Sequence, residues 1–148
     1  MLESMLMGTF RQTMDAKGRM NFPTKLREVL GEQFIVTQSL TKEPDGCLYV
    51  YSLADYELKA EKIRKLPMTR EGQWLQRRFL SGARLVEADK QGRILLPLEL
   101  RTYAGLSTDV VVAGVADRAE IWDESKWEKL NSEIDDEKLM EALSGLDL

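Results

Sequence analysis

The stretch DAKGRMNFPTKLR, residues 15–27, recurs 74 residues further along the chain as DKQGRILLPLELR, residues 89–101. When residues 15–31 are compared with 89–105, seven of seventeen positions are identical. The identical pairs are Asp15 and Asp89, Gly18 and Gly92, Arg19 and Arg93, Pro23 and Pro97, Leu26 and Leu100, Arg27 and Arg101, and Gly31 and Gly105. Identities at one fixed offset indicate an internal duplication of a unit of about seventy residues.

The two copies predict the same order of elements. A strand (8–14, 83–88) enters an Asp-x-x-Gly turn, and a short strand (19–22, 93–96) leaves it, so we expect a short hairpin in each copy. The turns are shaped by Asp15, Gly18, Asp89 and Gly92, because aspartate can bond backbone amides and glycine accepts a positive φ. A short helix (24–30, 98–104) begins after proline and is expected to end in a left-handed cap at Gly31 or Gly105. Two more strands and a helix, with Ser52 or Asp123 as its N-cap, complete each copy.

These elements predict an α+β fold with a mainly β core. We assign residues 5–66 to the first copy, 67–80 to a connecting helix, 81–130 to the second copy and 131–148 to an acidic C-terminal helix or tail. A small four-stranded unit with one short helix makes a poor core alone. We therefore expect the two copies to interleave their hairpins into one barrel without free edges, with the longer helices outside it. The tail is either a frayed helix or a helix that docks on a neighbour.

Composition excludes several classes of protein. The 148 residues include no histidine and one cysteine, Cys47. The usual general base, the Ser-His and Cys-His nucleophile pairs and most zinc sites are therefore missing, and no intrachain disulfide can form. No apolar run reaches the ~18 to 20 residues of a membrane helix, and the N-terminus lacks the features of a signal peptide. We expect a cytoplasmic protein with no catalytic residues, no metal, no cofactor and no small-molecule substrate.

Charge is distributed unevenly along the chain. The net charge is −4, yet residues 11–27 carry +4 and residues 123–148 carry −6. Because screening in solution limits charge effects to ~8 Å, contact with a polyanion depends on the local charge. The basic segment is therefore compatible either with nucleic-acid binding or with an ordinary solvated surface.

Three longer stretches resemble the bacterial MraZ family, over residues 5–130. They are MGTFRQTMDAKGRMNFPTKLRE (7–28), FLSGARLVEADKQGRILLPLELR (79–101) and VVVAGVADRAEIWDESKW (110–127). The resemblance implies the swapped-hairpin barrel of the AbrB-like DNA-binding superfamily, with both copies in one chain. It also implies a transcriptional regulator, usually a repressor, of the division and cell-wall gene cluster. Such proteins form rings, associate with the nucleoid and bind short tandem repeats of double-stranded DNA upstream of that cluster.

Two features depart from the family pattern. Residues 1–4 precede the family start at Met5, and the loop TKEPDG (41–46) is slightly longer than its counterpart.

The turn tips are the candidate DNA-binding site. The candidate contacts are Lys17, Arg19, Lys90, Gln91 and Arg93, with Arg11 and Arg84 as a second tier. Arginine can bond the O6 and N7 atoms of guanine, glutamine can bond adenine, and lysine can neutralise phosphate. The other interpretation is that Arg19 and Arg93 pair with Asp15 and Asp89 and so lock their own turns. Spacing alone does not separate the two; the resemblance favours DNA contact.

Arg27 and Arg101 are expected to be structural, because a cation late in a helix favours the helix dipole.

Three other functions compete with this interpretation. An AbrB-like antitoxin would mainly bind a partner protein through its tail, and would usually carry a single copy of the motif. An enzyme could use Asp15 and Asp89 as paired carboxylates, but the sequence offers no nucleophile or phosphate loop. A purely structural oligomer would bind no DNA.

Under the DNA-binding hypothesis, one chain binds DNA weakly, and a ring that displays many tips would raise the affinity. The acidic tail then faces away from DNA or repels it.

Overall fold

A computed structural model of the chain describes residues 2–42 and 45–148. Its strands are β1 Thr9–Thr13, β2 Arg19–Asn21, β3 Gln33–Gln38, β4 Leu48–Ser52, β5 Arg84–Glu87, β6 Arg93–Leu95, β7 Asp109–Val115 and β8 Arg118–Asp123. Its α-helices are α1 Thr24–Leu30, α2 Leu53–Arg64, α3 Arg70–Gln76, α4 Leu98–Ala104, α5 Glu124–Ser132 and α6 Asp136–Leu143. A 3-10 turn covers Leu2–Ser4, and a π-helical turn covers Arg77–Ser81. The predicted α+β class is confirmed.

The strands of the two copies pair with each other. A six-stranded sheet has the order β1-β7-β8-β4-β3-β5, and β2 pairs with β6 in a separate two-stranded sheet. All of these pairs are antiparallel. The first strand of each copy lies beside the third strand of the other, as β1 on β7 and β5 on β3. Neither copy therefore has a complete sheet of its own.

The short hairpin expected at each Asp-x-x-Gly turn is formed only next to the turn. The Asp15 N–H donates to the Arg19 carbonyl and the Asp89 N–H to the Arg93 carbonyl, both at 2.9 Å, and Met14 bridges Met20. Beyond these residues the strands separate, and β1 and β2 belong to different sheets. The reason is that β2 and β6 have three residues each and use them to pair with one another. The predicted barrel is also not found: within residues 2–42 and 45–148 the large sheet stays open, with β1 and β5 at its edges.

One hydrophobic core joins the two sheets and the short helices. It contains Met20 and Ile94 from the β2–β6 pair and Leu26 and Leu100 from α1 and α4. The large sheet contributes Phe34, Val36, Leu48, Val50, Val110, Val112 and Ile121. Burial of one such leucine or isoleucine side chain contributes about 1.5–3 kcal/mol, so this shared core fixes the β2–β6 pair against the sheet.

Most predicted helix ends are found where the sequence placed them. Ser52 Oγ accepts a hydrogen bond from the backbone N–H of Asp55 at 3.2 Å and caps α2. Gly105 ends α4 with φ 61° and ψ 38°, the predicted left-handed cap. Gly31 follows α1 with φ 92° but ψ 174°, so the prediction of a left-handed cap was wrong there. Gly31 combines a positive φ with an extended ψ, a conformation that glycine adopts readily, and so leads the chain into β3, which begins two residues later.

Asp123 holds the N-cap position of α5, but its side chain makes no capping hydrogen bond. Its carboxylate accepts hydrogen bonds from the backbone N–H and hydroxyl of Ser107 and from the hydroxyl of Ser125. The carboxylate therefore ties the start of α5 to the loop before β7.

The connecting region and the tail are both helical. The π-helical turn that follows α3 buries Phe79, whose ring stacks on Tyr56 with centroids 5.0 Å apart. In the tail, α5 contacts β7 and β8, whereas every side chain of α6 is exposed. Of the loop 41–46 singled out above, Glu43 and Pro44 lie outside the described residues. Among the residues described, no helix has the length and apolar character needed to span a membrane.

Candidate nucleic-acid interface

The β2–β6 pair presents one exposed face. Its register places Arg19 opposite Leu95, Met20 opposite Ile94 and Asn21 opposite Arg93. Met20 and Ile94 point into the core, while the other four residues are exposed. Residues opposite each other, or two apart on one strand, share a face of a sheet. We call the surface formed by Arg19, Asn21, Arg93 and Leu95 the ribbon face.

Aspartate closes both turns in the same way. Asp15 Oδ1 accepts hydrogen bonds at 2.9 Å from the backbone N–H groups of Lys17 and Arg19. Asp89 Oδ1 does the same for Gln91 and Arg93, also at 2.9 Å. Gly18 and Gly92 have φ of 93° and 80°, which favours glycine at both positions. The two turns therefore hold the arginine backbones at both ends of the ribbon face.

The same aspartates also hold the arginine side chains. Arg19 Nε donates to Asp15 Oδ2 at 2.8 Å, and Arg93 Nε lies 3.4 Å from Asp89 Oδ2. Within the described residues, the terminal amino groups of both guanidinium groups have no partner. Those amino groups are the ones that bond guanine in a bidentate contact. The geometry thus combines the two interpretations of the spacing: aspartate positions the arginine and leaves its outer donors available.

These hydrogen bonds change the acidity of the aspartates. The hydrogen bond from the Arg19 backbone N–H, followed by that from its side chain, lowers the pKa of Asp15 from 3.8 to about 2. The pKa of Asp89 is lowered in the same direction, chiefly by the Arg93 backbone N–H. Both carboxylates are therefore ionised over the physiological range, and the turns keep their charge pattern.

Each turn is supported by the other copy. The Gly18 carbonyl accepts a hydrogen bond from Leu96 N–H, and the Gly92 carbonyl accepts one from Phe22 N–H, both at 2.9 Å. Arg101 Nε donates to the Leu96 carbonyl at 2.9 Å and lies against Gly18. The two tips are therefore locked to one another across the β2–β6 pair.

Arg27 supports the second turn as Arg101 supports the first. Its Nε donates to the Phe22 carbonyl at 3.2 Å, and its guanidinium lies against Gly92. Arg27 and Arg101 have the structural role that was expected. They support the fold by contacting the turn of the other copy, which the expectation based on the helix dipole did not predict. A signal was present in the sequence, since both copies place arginine nine positions after the turn glycine.

The other candidate residues divide into two groups. Lys17, Lys90 and Gln91 are exposed at the tips, and within the described part of the chain their side chains have no hydrogen-bond or salt-bridge partner. Arg11 and Arg84 lie away from the ribbon face, on β1 and β5 of the large sheet. The tips and the ribbon face therefore bring together the five main candidate contacts, and the two second-tier residues lie elsewhere.

Arg11 and Arg84 both have partners within the chain. Arg11 contacts two carboxylates of α5, Glu124 at 3.3 Å and Glu128 at 2.7 Å. Arg84 donates to the carbonyls of Ser81 and Ala83. Contact of Arg11 with DNA would require its ion pairs with α5 to be exchanged, because both of its terminal amino groups are engaged. Arg84 uses only Nη1 in its bonds to the two carbonyls, so among the described residues its Nη2 group has no partner.

Asn21 and Leu95 were missed by the sequence reasoning. Both are exposed beside the arginines, and Leu95 has 57% of its surface accessible. Alternation with the apolar residues Met20 and Ile94 was the available signal, but three-residue strands give it little weight. Among the described residues, no group of three or more potential metal ligands is found.

Comparison with known proteins places this duplicated architecture in a family. A family model described as "MraZ protein, putative antitoxin-like" matches twice, at residues 5–78 and 79–147. A protein of Natranaerobius thermophilus named transcriptional regulator MraZ is 42% identical over 147 residues, 97% of this chain and 100% of that protein. Proteins of the same name are 47% identical over 130 residues in Acetivibrio thermocellus (87% of this chain, 88% of that protein) and 43% identical over 147 in Thermoanaerobacter sp. strain X514 (97% and 100%). With both copies matched and nearly the whole length shared, the chain belongs to the MraZ family.

Proposed function

We propose that this protein is a transcriptional regulator that binds double-stranded DNA through the ribbon face and its two turn tips. The observation that carries the proposal is the pair Arg19 and Arg93, each held by an aspartate and each with free terminal donors. The Cα atoms of these arginines are roughly 8 Å apart, as estimated from strand spacing and rise. A two-stranded ribbon of this size fits a major groove about 12 Å wide.

The remaining tip residues have distinct roles in this proposal. Lys17 and Lys90 neutralise phosphates on either side of the groove, and Gln91 bonds a base edge or a phosphate. Asp15, Gly18, Asp89 and Gly92 hold the geometry of the turns and do not touch DNA. Arg11 and Arg84 form a second tier of contacts with the DNA backbone. Arg11 reaches the DNA backbone only when its contacts with Glu124 and Glu128 are exchanged.

The larger context of the proposal follows the family. The two copies, 5–66 and 81–130, act as one intertwined AbrB-like unit with the connecting helix 67–80 and the acidic tail 131–148 outside it. The protein represses the division and cell-wall genes from short direct repeats upstream of its own gene, in the cytoplasm and at the nucleoid. It does so as a ring-like homo-oligomer, because one chain offers only four tip cations and each phosphate contact weakens steeply with salt.

The experiment is a mobility-shift titration with the DNA upstream of the protein's own gene. The double variant Arg19→Ala with Arg93→Ala removes both candidate readers, and we expect its affinity to fall by tenfold or more, at about 1–3 kcal/mol for each guanine contact. The matched control is Arg64→Ala with Arg70→Ala, which removes the same charge from exposed positions on α2 and α3. Unchanged binding by a folded Arg19/Arg93 variant overturns the proposal.

A second candidate function is that of an AbrB-like antitoxin, which mainly binds a partner protein. The exposed α6, with Leu139, Met140 and Leu143 uncovered, is the observation that favours it. Removal of residues 133–148 separates the two functions. An antitoxin would lose its partner, whereas a DNA-binding regulator would keep its mobility shift.

A further inference from the structure

The ribbon face is nearly symmetric. In the duplication Arg19 corresponds to Arg93, and Asn21 corresponds to Leu95. The antiparallel register pairs Arg19 with Leu95 and Asn21 with Arg93, so a local twofold axis passes through the Met20–Ile94 pair. If the two copies were identical, this face would present the same groups from both ends.

One pair of equivalent positions breaks the symmetry. At one end the ribbon face carries the amide of Asn21, and at the other it carries the isobutyl group of Leu95. Neither side chain belongs to the hydrophobic core: Met20 and Ile94 fill the core below, and Leu95 is 57% exposed. Within the described residues the side-chain amide of Asn21 makes no hydrogen bond. A leucine exposed between two arginines contributes less to stability than a buried one, because more than half of its surface stays in water.

The two side chains favour different bases. An asparagine side chain can donate from Nδ2 to N7 of adenine while its Oδ1 accepts from the N6 amino group, whereas an aliphatic side chain contacts the methyl group of thymine. We infer that Asn21 and Leu95 are specificity-determining residues, which make the ribbon face read the two halves of its DNA site differently. The inference rests on the proposed DNA binding.

The asymmetry gives the bound protein a direction. A symmetric ribbon would fit a site equally well in either orientation, as in a palindrome. With Asn21 at one end and Leu95 at the other, one orientation is favoured, and every chain of an assembly would face the same way along repeats of one orientation. The tips add to this difference, since Lys17 corresponds to Gln91 and Ala16 to Lys90.

The test is selection of binding sites from a randomised duplex DNA library by the full-length protein, followed by sequencing. We expect the wild type to recover an asymmetric site. Asn21→Leu should make both halves prefer thymine at the corresponding base pair, and Leu95→Asn should make both prefer adenine. In the Asn21→Leu variant, the preference for adenine at the half-site that position 21 contacts should fall by roughly 5- to 150-fold, the factor that one bidentate contact supplies.

Each outcome supports or overturns the inference. If the wild type recovers no site, the proposed DNA binding itself fails. If the wild type recovers a site and both variants keep its base preferences, DNA binding stands and the inference is wrong. If Leu95→Asn alters the particle size in light scattering but not the base preference, Leu95 is a self-association contact and the inference is also wrong. Thermal melts check folding. Asn21→Ser, which should also lose the adenine preference at its half-site, replaces Asn21→Leu if that variant does not fold.

Discussion

The Gly18 carbonyl accepts a hydrogen bond from the Leu96 N–H at 2.9 Å, which fastens the first turn to the second copy. An added Cβ at Gly18 would lie 2.6 Å from the Leu96 carbonyl oxygen, an atom of the backbone that cannot move away easily. At Gly92 the nearest atom, 2.7 Å away, is the flexible end of Arg27. The two equivalent glycines therefore differ in what surrounds them.

Gly18→Ala should be more destabilising than Gly92→Ala. We expect a loss of about 2–4 kcal/mol in the free energy of unfolding for Gly18→Ala, from positive φ and the clash together, and about 1–2 kcal/mol for Gly92→Ala. Urea denaturation measures both. Gly145→Ala is the control, because its Cβ would meet nothing closer than 4.0 Å, and it should change the value by less than about 0.5 kcal/mol. Equal losses at Gly18 and Gly92 would contradict the role of the Leu96 carbonyl.

The Asp15 turn should weaken in acid. Its pKa in the folded protein is about 2, below the ordinary 3.8, so the carboxylate contributes stability above pH 3.8 that is lost as the pH falls through about 2. NMR titration of the Asp15 side chain should give a midpoint near 2. Asp15→Asn should remove this part of the pH dependence, and a midpoint at the ordinary value would show that the hydrogen bonds to Arg19 do not form.

The contact between Arg11 and α5 should restrain DNA binding, if Arg11 is a second-tier contact. Glu128→Gln removes the carboxylate 2.7 Å from Arg11, so we expect tighter binding in a mobility-shift titration, and no such gain when Arg11 is also alanine. Glu133→Gln is the charge-matched control, at an exposed position just after α5. An equal gain from both glutamine variants would show a general effect of charge and remove Arg11 from the second tier.

Phe79 and Trp74 should differ sharply in their effect on stability. Phe79 is 1% exposed and packs against Tyr51 and Tyr56, so Phe79→Ala should lower the free energy of unfolding by about 3–5 kcal/mol. Trp74 is 54% exposed, and Trp74→Ala should cost less than about 1 kcal/mol. Urea denaturation at low protein concentration compares them. A large loss at Trp74 under those conditions would mean that the side chain packs within the chain.

The thiol of Cys47 should be inert in the folded protein. Cys47 is 2% exposed, and burial raises the pKa of its thiol, so little thiolate forms near neutral pH. An aromatic disulfide reagent should label it only after denaturant is added. Rapid labelling of the native protein would show that the segment just before β4 opens locally.

The duplicated turn could be predicted because its chemistry is local. Aspartate, glycine, proline and a terminal glycine each act within a few residues, so most helix boundaries and the α+β class followed from them. The pairing of β2 with β6 could not be predicted in the same way, because a strand of three residues carries no sequence pattern that indicates which other strand it pairs with. For that reason each expected hairpin extends only to the residues beside its turn, and the expected barrel is not found: the local turn was correct, but most of its strand residues pair elsewhere.

The candidate site was predicted in part. The tip residues follow from the turn, and the structure brings Arg19 and Arg93 onto one face. Asn21 and Leu95 join that face only through strand register, which depends on contacts between residues far apart in sequence. The contacts of Arg27 and Arg101 with the opposite turns also join residues far apart in sequence, so they could not be predicted either. The same holds for the ion pairs of Arg11 with α5.

The exchange of strands between the copies makes the connecting segment a tether. A chain that ended after the first copy would lack the partners of both β1 and β2, and its open strand edges would be exposed to other molecules. Because the second copy is held on the same chain, those edges are covered at a rate that does not depend on protein concentration. A premature stop between the copies would therefore yield an aggregation-prone fragment rather than half of a working protein.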